Sequence, residues 1–333
     1  MAANLTPQYL KAEEEYRRAA TAEEQVKWLE LMLREMPKHK ASEKLQSDLK
    51  QKISKARKEA EAERKAGGAK GHGVRIPRQG AGTAVVLGGP NAGKSRLVCS
   101  LTRATPEVAP YPFTTRAPSP GMMPWEDVTV QLIDTPPITA DYLEPYMQGI
   151  IRGADLALLL VDLGADEGIE QVQEALDKIN GTKTRLAARS YLDEDDVGLS
   201  HTRTFLVPNK IDLADAAARL ELLHELCPLD FPEHVISAEG GEGLDALREA
   251  IFRALDVVRV YTKLPTAKSA DFERPFTIRR GGTVLDVAGM VHKDFIEKFK
   301  FARVWGTNLH DGTTVKEDYT PQDKDIVELH VAT

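Results

Sequence analysis

GGPNAGKS, residues 88–95, follows the apolar run TAVVL and leads into a stretch with helical spacing from Ser95 to Leu101. A strand, a glycine-rich turn and a helix, in that order, form the setting in which backbone N–H groups wrap phosphate oxygens. Gly88 and Gly93 permit the tight wrap, Lys94 is placed to reach β- and γ-phosphates, and the Ser95 hydroxyl can ligate Mg²⁺. Gly89, Pro90, Asn91, Ala92, Gly93, Lys94 and Ser95 are therefore the expected phosphate cradle. The motif indicates a nucleoside triphosphate without saying which base it carries.

Around this loop, short apolar runs alternate with amphipathic helical stretches. TAVVLGG (83–89), VTVQLID (128–134), LALLLVD (156–162), TFLVPNK (204–210) and HVISA (234–238) are predicted to be buried strands. Continuous apolar character with helices between implies an α/β fold with a mostly parallel sheet covered on both faces. Such sheets bind ligands beyond the carboxyl ends of their strands, where the next motifs fall.

NKID (209–212) ends the fourth run. The Asp212 carboxylate can accept from the ring N–H and exocyclic amine of guanine, a donor pair that adenine lacks. Asn209 suits the acceptor edge of the purine, and the stem of Lys210 can pack along base and ribose. SAE (237–239) ends the fifth run, where Ser237 and chiefly the Ala238 N–H could cap the base. IDTPP (133–137) ends the second, and Asp134 can hold Mg²⁺ through water. Guanine-nucleotide switches carry Asp-x-x-Gly here; in this chain Pro137 takes the glycine's place and has no N–H for a γ-phosphate. Ile138 follows where a water-orienting glutamine is usual. In YPFTT (111–115), either Thr115 or Thr114 could close over Mg²⁺, with Thr115 favoured.

The 333 residues suggest roughly two domains, and texture divides them into a helical arm (1–80), the motif-bearing segment (81–257) and a small tail unit (258–333). Two cysteines exclude a disulfide framework or a four-cysteine zinc site. The longest apolar run, Leu156 to Val161, is far short of the roughly 20 residues that span a bilayer. The opening residues have no apolar core like that of a signal peptide, so a cytoplasmic protein without a membrane partner is expected. The net charge of −7 is uneven: +6 in the arm, −14 in the middle and +1 in the tail. A basic arm on an acidic body suggests contact with RNA, although a solvated helix face beside the AGGAKGHG linker (66–73) would carry the same charges. In the arm, Pro37 separates two predicted helices. Trp28, Leu29, Met32 and Met36 face Leu45, Leu49, Ile53 and Ala56 in an antiparallel hairpin. The tail reads as short strands around one helix (Val284 to Phe299) with a last strand at Asp325–Val331.

Together, GGPNAGKS, YPFTT, DTPP, NKID and SAE resemble the Obg-type GTPases, and most of all the developmentally regulated GTP-binding family. VYTKLP, TVLDVAGMVHKDFIEKFKFARVWG and DIVELHV are similar to the TGS domain of those proteins, a ubiquitin-like β-grasp unit. The resemblance implies a phosphate-loop GTPase domain with GTP and GDP as ligands, docked on ribosomes or RNA; without a water-orienting glutamine hydrolysis is expected to be slow, and the chain is expected to be a monomer. It also implies catalytic roles for Lys94, Thr115 and Asn91, with Mg²⁺ on Ser95, Thr115 and Asp134 and a K⁺ ion on Asn91. Asn91 would equally serve as a plain turn residue. Ile138 fits the family pattern; Pro137 departs from it, and the family's larger insertion in the GTPase domain is not obvious.

Other residues have simpler readings. His72, His292 and His310 lack metal-ligand spacing. Phe301 and Trp305 are expected in the core of the tail unit rather than on a base-stacking surface. Arg152 reads as a helix-end charge, and Cys99 as buried and inert. Two other functions compete with a slow GTPase: a guanine-nucleotide-dependent binding module that hydrolyses little, motivated by Pro137, and a scaffold for protein partners.

Overall fold

The computed structural model describes residues 6–19, 21–36, 43–65, 76–102, 118–192, 199–306 and 309–332. The arm contains α1 (Pro7–Arg18), α2 (Ala22–Glu35) and α3 (Glu43–Lys65). The expected hairpin is formed by α2 and α3: Leu29, Met32 and Met36 share a core with Leu49, Ile53 and Ala56, and Trp28 and Leu45 pack at its edge. The single helix predicted before Pro37 is instead two: α1 ends at its C-cap Ala19, and α2 opens at its N-cap Thr21. Thr21 is extended and its hydroxyl accepts from the Glu24 N–H at 3.2 Å. Thr-Ala-Glu-Glu is therefore a helix start. Thr6 caps α1 in the same way and donates to the Glu35 carbonyl at 3.1 Å, tying the start of α1 to the end of α2. Pro37 and the 66–73 linker with His72 lie outside the described residues.

The middle segment runs through β1 (Thr83–Gly88), α4 (Lys94–Leu101), β2 (Ser119–Trp125), β3 (Val128–Asp134), α5 (Met147–Gly153), β4 (Leu156–Asp162) and α6 (Gly168–Asn180). It continues with β5 (Thr184–Ala187), β6 (Tyr191–Leu192), β7 (Ser200–Asn209), α7 (Ala216–Leu226) and α8 (Leu244–Ala254). The sheet order is β2-β3-β1-β4-β7-β5, with β6 antiparallel on β7. The strands from β3 to β5 in that order are parallel, and β2 is antiparallel to β3. Every residue of β1 and β4 is buried, because successive side chains enter opposite helical layers. Val86 and Leu158 meet Leu97 of α4 and Leu247 and Ile251 of α8. Val85 and Leu159 meet Ile151 of α5 and Val172 of α6. β2 was not expected, since Pro120 and Pro124 argue against a strand; as an edge strand it tolerates both.

HVISA does not form the predicted strand. Residues 233–236 make only two isolated parallel bridges to β7, Leu206 with Glu233 and Asn209 with Ile236. Leu206, His234, Ile236 and, past the end of β7, Ile211 donate the backbone bonds that join the two segments. The rung between them is missing because Pro208 has no N–H to give.

The tail forms a separate β-grasp sheet: β8 (Val257–Thr262), β9 (Asp271–Arg279), α9 (Val284–Val291), α10 (Asp294–Glu297), β10 (Phe299–Trp305), β11 (Thr313–Val315) and β12 (Asp325–Val331). The order is β11-β10-β12-β8-β9, with β8 and β12 parallel and the other pairs antiparallel. Thr283 and Asp286 close a capping box at the start of α9. The helix stops well before Phe299: His292 turns extended, and its Nδ1 accepts from the Asp294 N–H at 3.2 Å to open a new short turn. Val258, Val260, Ala302, Val304 and Val327 pack under Val284 and Val287 of α9. Phe301 and Trp305 are not in this core; alternation along β10 turns them to the other face, where both are half-buried.

Ion pairs join the three segments. Arg259 of β8, only 4% exposed, bonds Asp323 at 2.6 Å and also Asp127 at 2.8 Å in the turn between β2 and β3. Tyr261 donates to the same Asp127, and Glu126 beside it pairs with Arg259 and Lys324. At the same amino-terminal end of the parallel strands, Asp155 accepts from Arg18 of α1 at 2.9 Å, from Arg78 and from the Thr83 N–H at 2.9 Å. Arg279 of β9 reaches Asp155 at 3.6 Å and pairs with Glu14 of α1.

Candidate guanine-nucleotide site

The loop between β1 and α4 takes its shape from backbone that only small residues permit. Gly88 has φ +147°, and a Cβ there would stand 2.8 Å from the Leu160 carbonyl oxygen. Gly93 has φ +89°, and its Cβ would fall 2.3 Å from Asn209 Nδ2. Asn91 is exposed at φ +58°, a left-handed turn conformation that asparagine tolerates. Pro90 is half-exposed, and Ala92 is buried against the sheet. α4 begins at Lys94, so its free N–H groups open toward the loop. Lys94 is 7% exposed, and Nζ donates to the Gly88 carbonyl at 3.1 Å and the Gly89 carbonyl at 2.7 Å. Burial pushes its pKa down to about 8, against the opposite pull of Asp134.

The Ser95 hydroxyl donates to Asp134 Oδ2 at 2.6 Å. Asp134 ends β3, and its other oxygen, Oδ1, is buried without a hydrogen-bond partner. Burial raises the Asp134 pKa most; the bond from Ser95 and the charge of Lys94 oppose it. A hydroxyl beside a carboxylate with one unsatisfied oxygen fits a hard divalent cation such as Mg²⁺. Thr114 and Thr115, with the rest of 111–115, lie outside the described residues. The segment after Asp134 is pinned: Thr135 donates to the Val86 carbonyl at 2.6 Å, and the Ile138 N–H donates to the Gly88 carbonyl at 3.1 Å. Ile138 is 1% exposed, packed with Met147 and Ile151. Its side chain thus faces the core, and Pro137 before it contributes no N–H.

On the base side, the expected residues are bonded to one another. The Asn209 carboxamide joins two loops: Nδ2 donates to the Ala92 carbonyl and Oδ1 accepts from the Ala238 N–H, each at 2.9 Å. That second bond sets the Ala238 N–H, the expected cap of the base, beside Asn209. Ser237 is fully buried, and its hydroxyl accepts from the Gly240 N–H at 2.7 Å, which shapes the turn. Lys210, at φ +70°, bonds Asp162 Oδ2 at 2.6 Å. Asp212 is exposed, and its Cβ lies 4.0 Å from where a Cβ on Gly240 would stand. Sequence reasoning missed Asp162, which ends β4, receives the Gly164 N–H at 2.8 Å on Oδ1 and holds Lys210 on Oδ2. Its signal was an acidic residue closing an otherwise wholly apolar strand.

The remaining candidates lie elsewhere. Arg152 is fully buried in the last turn of α5, with its charge among Tyr16, Arg17 and Glu24 of the arm rather than near the nucleotide loop. Cys99 is half-exposed, not buried as expected, and its thiol donates to the Ser95 carbonyl. His292 and His310 are exposed, and no group of three or more metal-ligating side chains occurs among the described residues. Among them too, no helix is long and apolar enough to cross a membrane. A further groove lies on the arm between α2 and α3, bordered by Glu30, Arg34, Lys50, Arg57 and Lys58.

Similarity to known proteins covers the central segment and the tail. Residues 83–189 match the family described as 50S ribosome-binding GTPase, and residues 258–331 match the TGS domain. An uncharacterised GTP-binding protein of Methanocaldococcus jannaschii is 30% identical, with 92% of each chain covered. Another, of Halobacterium salinarum, is 28% identical over 92% of this chain and 98% of its own. Developmentally-regulated G-protein 1 of Arabidopsis thaliana is 27% identical over 92% of this chain and 90% of its own.

Proposed function

Because the chain belongs to the family of GTP-binding proteins that join a phosphate-loop GTPase domain to a TGS domain, we propose that it binds GTP and GDP with Mg²⁺ and hydrolyses GTP slowly. The observation that carries this is the Asn209 bridge, which holds the phosphate loop and the base loop as one rigid cradle. The N–H groups at the start of α4 and the Lys94 ammonium bind the β- and γ-phosphates, and Lys94 leaves its two loop carbonyls to do so. Ser95 and Asp134, joined by Thr115, hold Mg²⁺, which when bound neutralises charge on the phosphates. Asp212 accepts from guanine, and Lys210, steadied by Asp162, packs its stem on the base. Ser237 and Ala238 form the edge of the base pocket. A K⁺ ion on Asn91 would place a further cation beside the leaving phosphate.

Two features argue for slow turnover. The buried Ile138 cannot orient a water, and Pro137 withholds one γ-phosphate donor. Intrinsic turnover on the order of 10⁻⁴ to 10⁻³ s⁻¹ is expected. Pro137 also favours a second reading, a nucleotide-dependent binding module that hydrolyses almost nothing. The basic arm and the tail domain are the proposed contacts with RNA or the ribosome, a reading supported by the arm's charge of +6 against −14 in the body.

Phosphate release in K⁺ and in Na⁺ buffer, from the parent, Asn91→Ala and Pro137→Gly, tests the reading. Release that K⁺ stimulates and that Asn91→Ala desensitises supports cation-assisted hydrolysis. No release from the parent, with a gain in Pro137→Gly, would support the binding module. Asp212→Asn should lose guanine nucleotides and gain xanthine nucleotides, because the new amide can donate where guanine's amine is replaced by a carbonyl.

A further inference from the structure

The face of the tail sheet turned away from α9 divides into two halves. On β8 it seats the GTPase domain, through Arg259 and Tyr261 on the turn at Glu126 and Asp127. On β10 and β12 it carries rings and cations outside the core. Phe301, Arg303 and Trp305 alternate along β10 with the buried Ala302 and Val304. In the register, His330 stands opposite Phe301 and Glu328 opposite Arg303. The Phe301 and His330 rings stack with centroids 4.3 Å apart and planes 15° from parallel. At the other end, Lys263 Nζ lies 4.5 Å from the centroid of the Trp305 ring. The acidic residue of this face, Glu328, is 3% exposed and enclosed by Lys263 at 2.9 Å, His330 at 2.8 Å and Arg303 at 4.0 Å. What the surface presents is therefore aromatic and cationic, and Arg303 is half exposed.

We propose that this half-face is a stacking platform for the bases of single-stranded RNA. The inference rests on the reading that the chain meets RNA, and it names the surface and the form of RNA. Alternate residues of a strand stand about 7 Å apart on one face, so Phe301 and Trp305 offer two ring sites with a guanidinium plane between them. Unpaired bases can stack on such rings and on arginine, while neighbouring cations follow the backbone. A duplex hides its base faces and gains nothing from the rings. An apolar protein segment would strip water from Arg303 and Lys263 without a matching charge, since Glu328 is already neutralised. The arm is different: Tyr9 and Tyr16 are buried and Trp28 packs at its core edge, so it offers charge without open rings. Arm and platform therefore differ in what they read, phosphates against bases.

The test titrates the full chain into a labelled short oligouridylate, whose bases are free of self-stacking, and into an abasic oligomer of equal length. Oligouridylate should bind more tightly, and the excess should survive high salt better than abasic binding does. Phe301→Ala and Trp305→Ala should each weaken oligouridylate about tenfold and leave the abasic oligomer unchanged. Trp305→Phe keeps a ring and should retain most of the affinity, which separates stacking from loss of the fold. Lys50→Ala with Lys58→Ala should weaken both oligomers alike. Equal binding of the two oligomers, or unchanged binding in the ring variants, would overturn the platform and leave RNA contact to the arm. Binding of neither would overturn both readings.

Discussion

Asn209 satisfies the Ala92 carbonyl and the Ala238 N–H with one buried side chain, so removing it leaves two backbone groups stranded in a dry site. Asn209→Ala is expected to weaken GDP binding at least about tenfold by calorimetry, although no atom of the residue needs to meet the nucleotide. Lys94 carries a pH signature. In the free protein, burial holds its pKa down to about 8, and phosphate oxygens favour the charged form and raise it. Above that pH the complex binds more protons than the free chain, so affinity falls as pH rises through the window and is level below it. GDP affinity should drop about tenfold between pH 7 and 9, and Lys94→Arg, which stays charged, should remove the slope. At this scale the sequence was readable wherever backbone shape demanded a residue type: Gly88 and Gly93 could be named because a side chain would collide there. The pairing of Lys210 with Asp162 was not readable, because the partners are 48 residues apart and neither announces the other.

The hairpin of β2 and β3 links the nucleotide site to the tail domain. At one end Ser119 pairs with Asp134, which holds Ser95; at the other, Arg259 grips Glu126 and Asp127. Arg259→Ala strands three carboxylates around a buried position, and a loss of about 3 kcal/mol is expected in denaturant unfolding. Hydrogen exchange at the β2–β3 turn should quicken with it. The attachment also depends on acid. The bond from Arg259, and then that from Lys324, holds the Glu126 carboxyl below its ordinary value of 4.5. Its contribution is therefore complete above about pH 4.5 and is lost as pH falls below. Periodicity revealed the central strands and the facing stripes of α2 and α3, since each buries a regular pattern. It failed where local chemistry overrode the period: at Thr21, which restarts a helix; at Pro208, which removes a rung; and at β2, whose prolines are harmless on an edge.

Across the molecule, Asp155 is the point at which arm, central domain and tail meet, through Arg18, Arg78 and Arg279. Its carboxylate is only 11% exposed, so Asp155→Ala leaves the cations of the arm and the tail without the central-domain partner they share. Calorimetry should then show the single melting transition separating, with the arm released first because its own core is the small cluster around Leu29 and Ile53. Nothing in the sequence marked Asp155, an acidic residue among many in an acidic segment. Its importance arises only when three distant arginines converge on it. The tail sheet has a different kind of consequence. β12 is the last of its strands to be synthesised, yet it lies in the middle, between β10 and β8. Until Asp325–Val331 has left the ribosome, β8 and β10 have no common neighbour, and each presents an open edge to other nascent chains. A message cut short before this strand would yield a product whose guanine-nucleotide cradle is fully made and whose tail cannot close. Translation to the final strand is thus the step that turns a sticky, half-zipped product into one fit to leave its polysome.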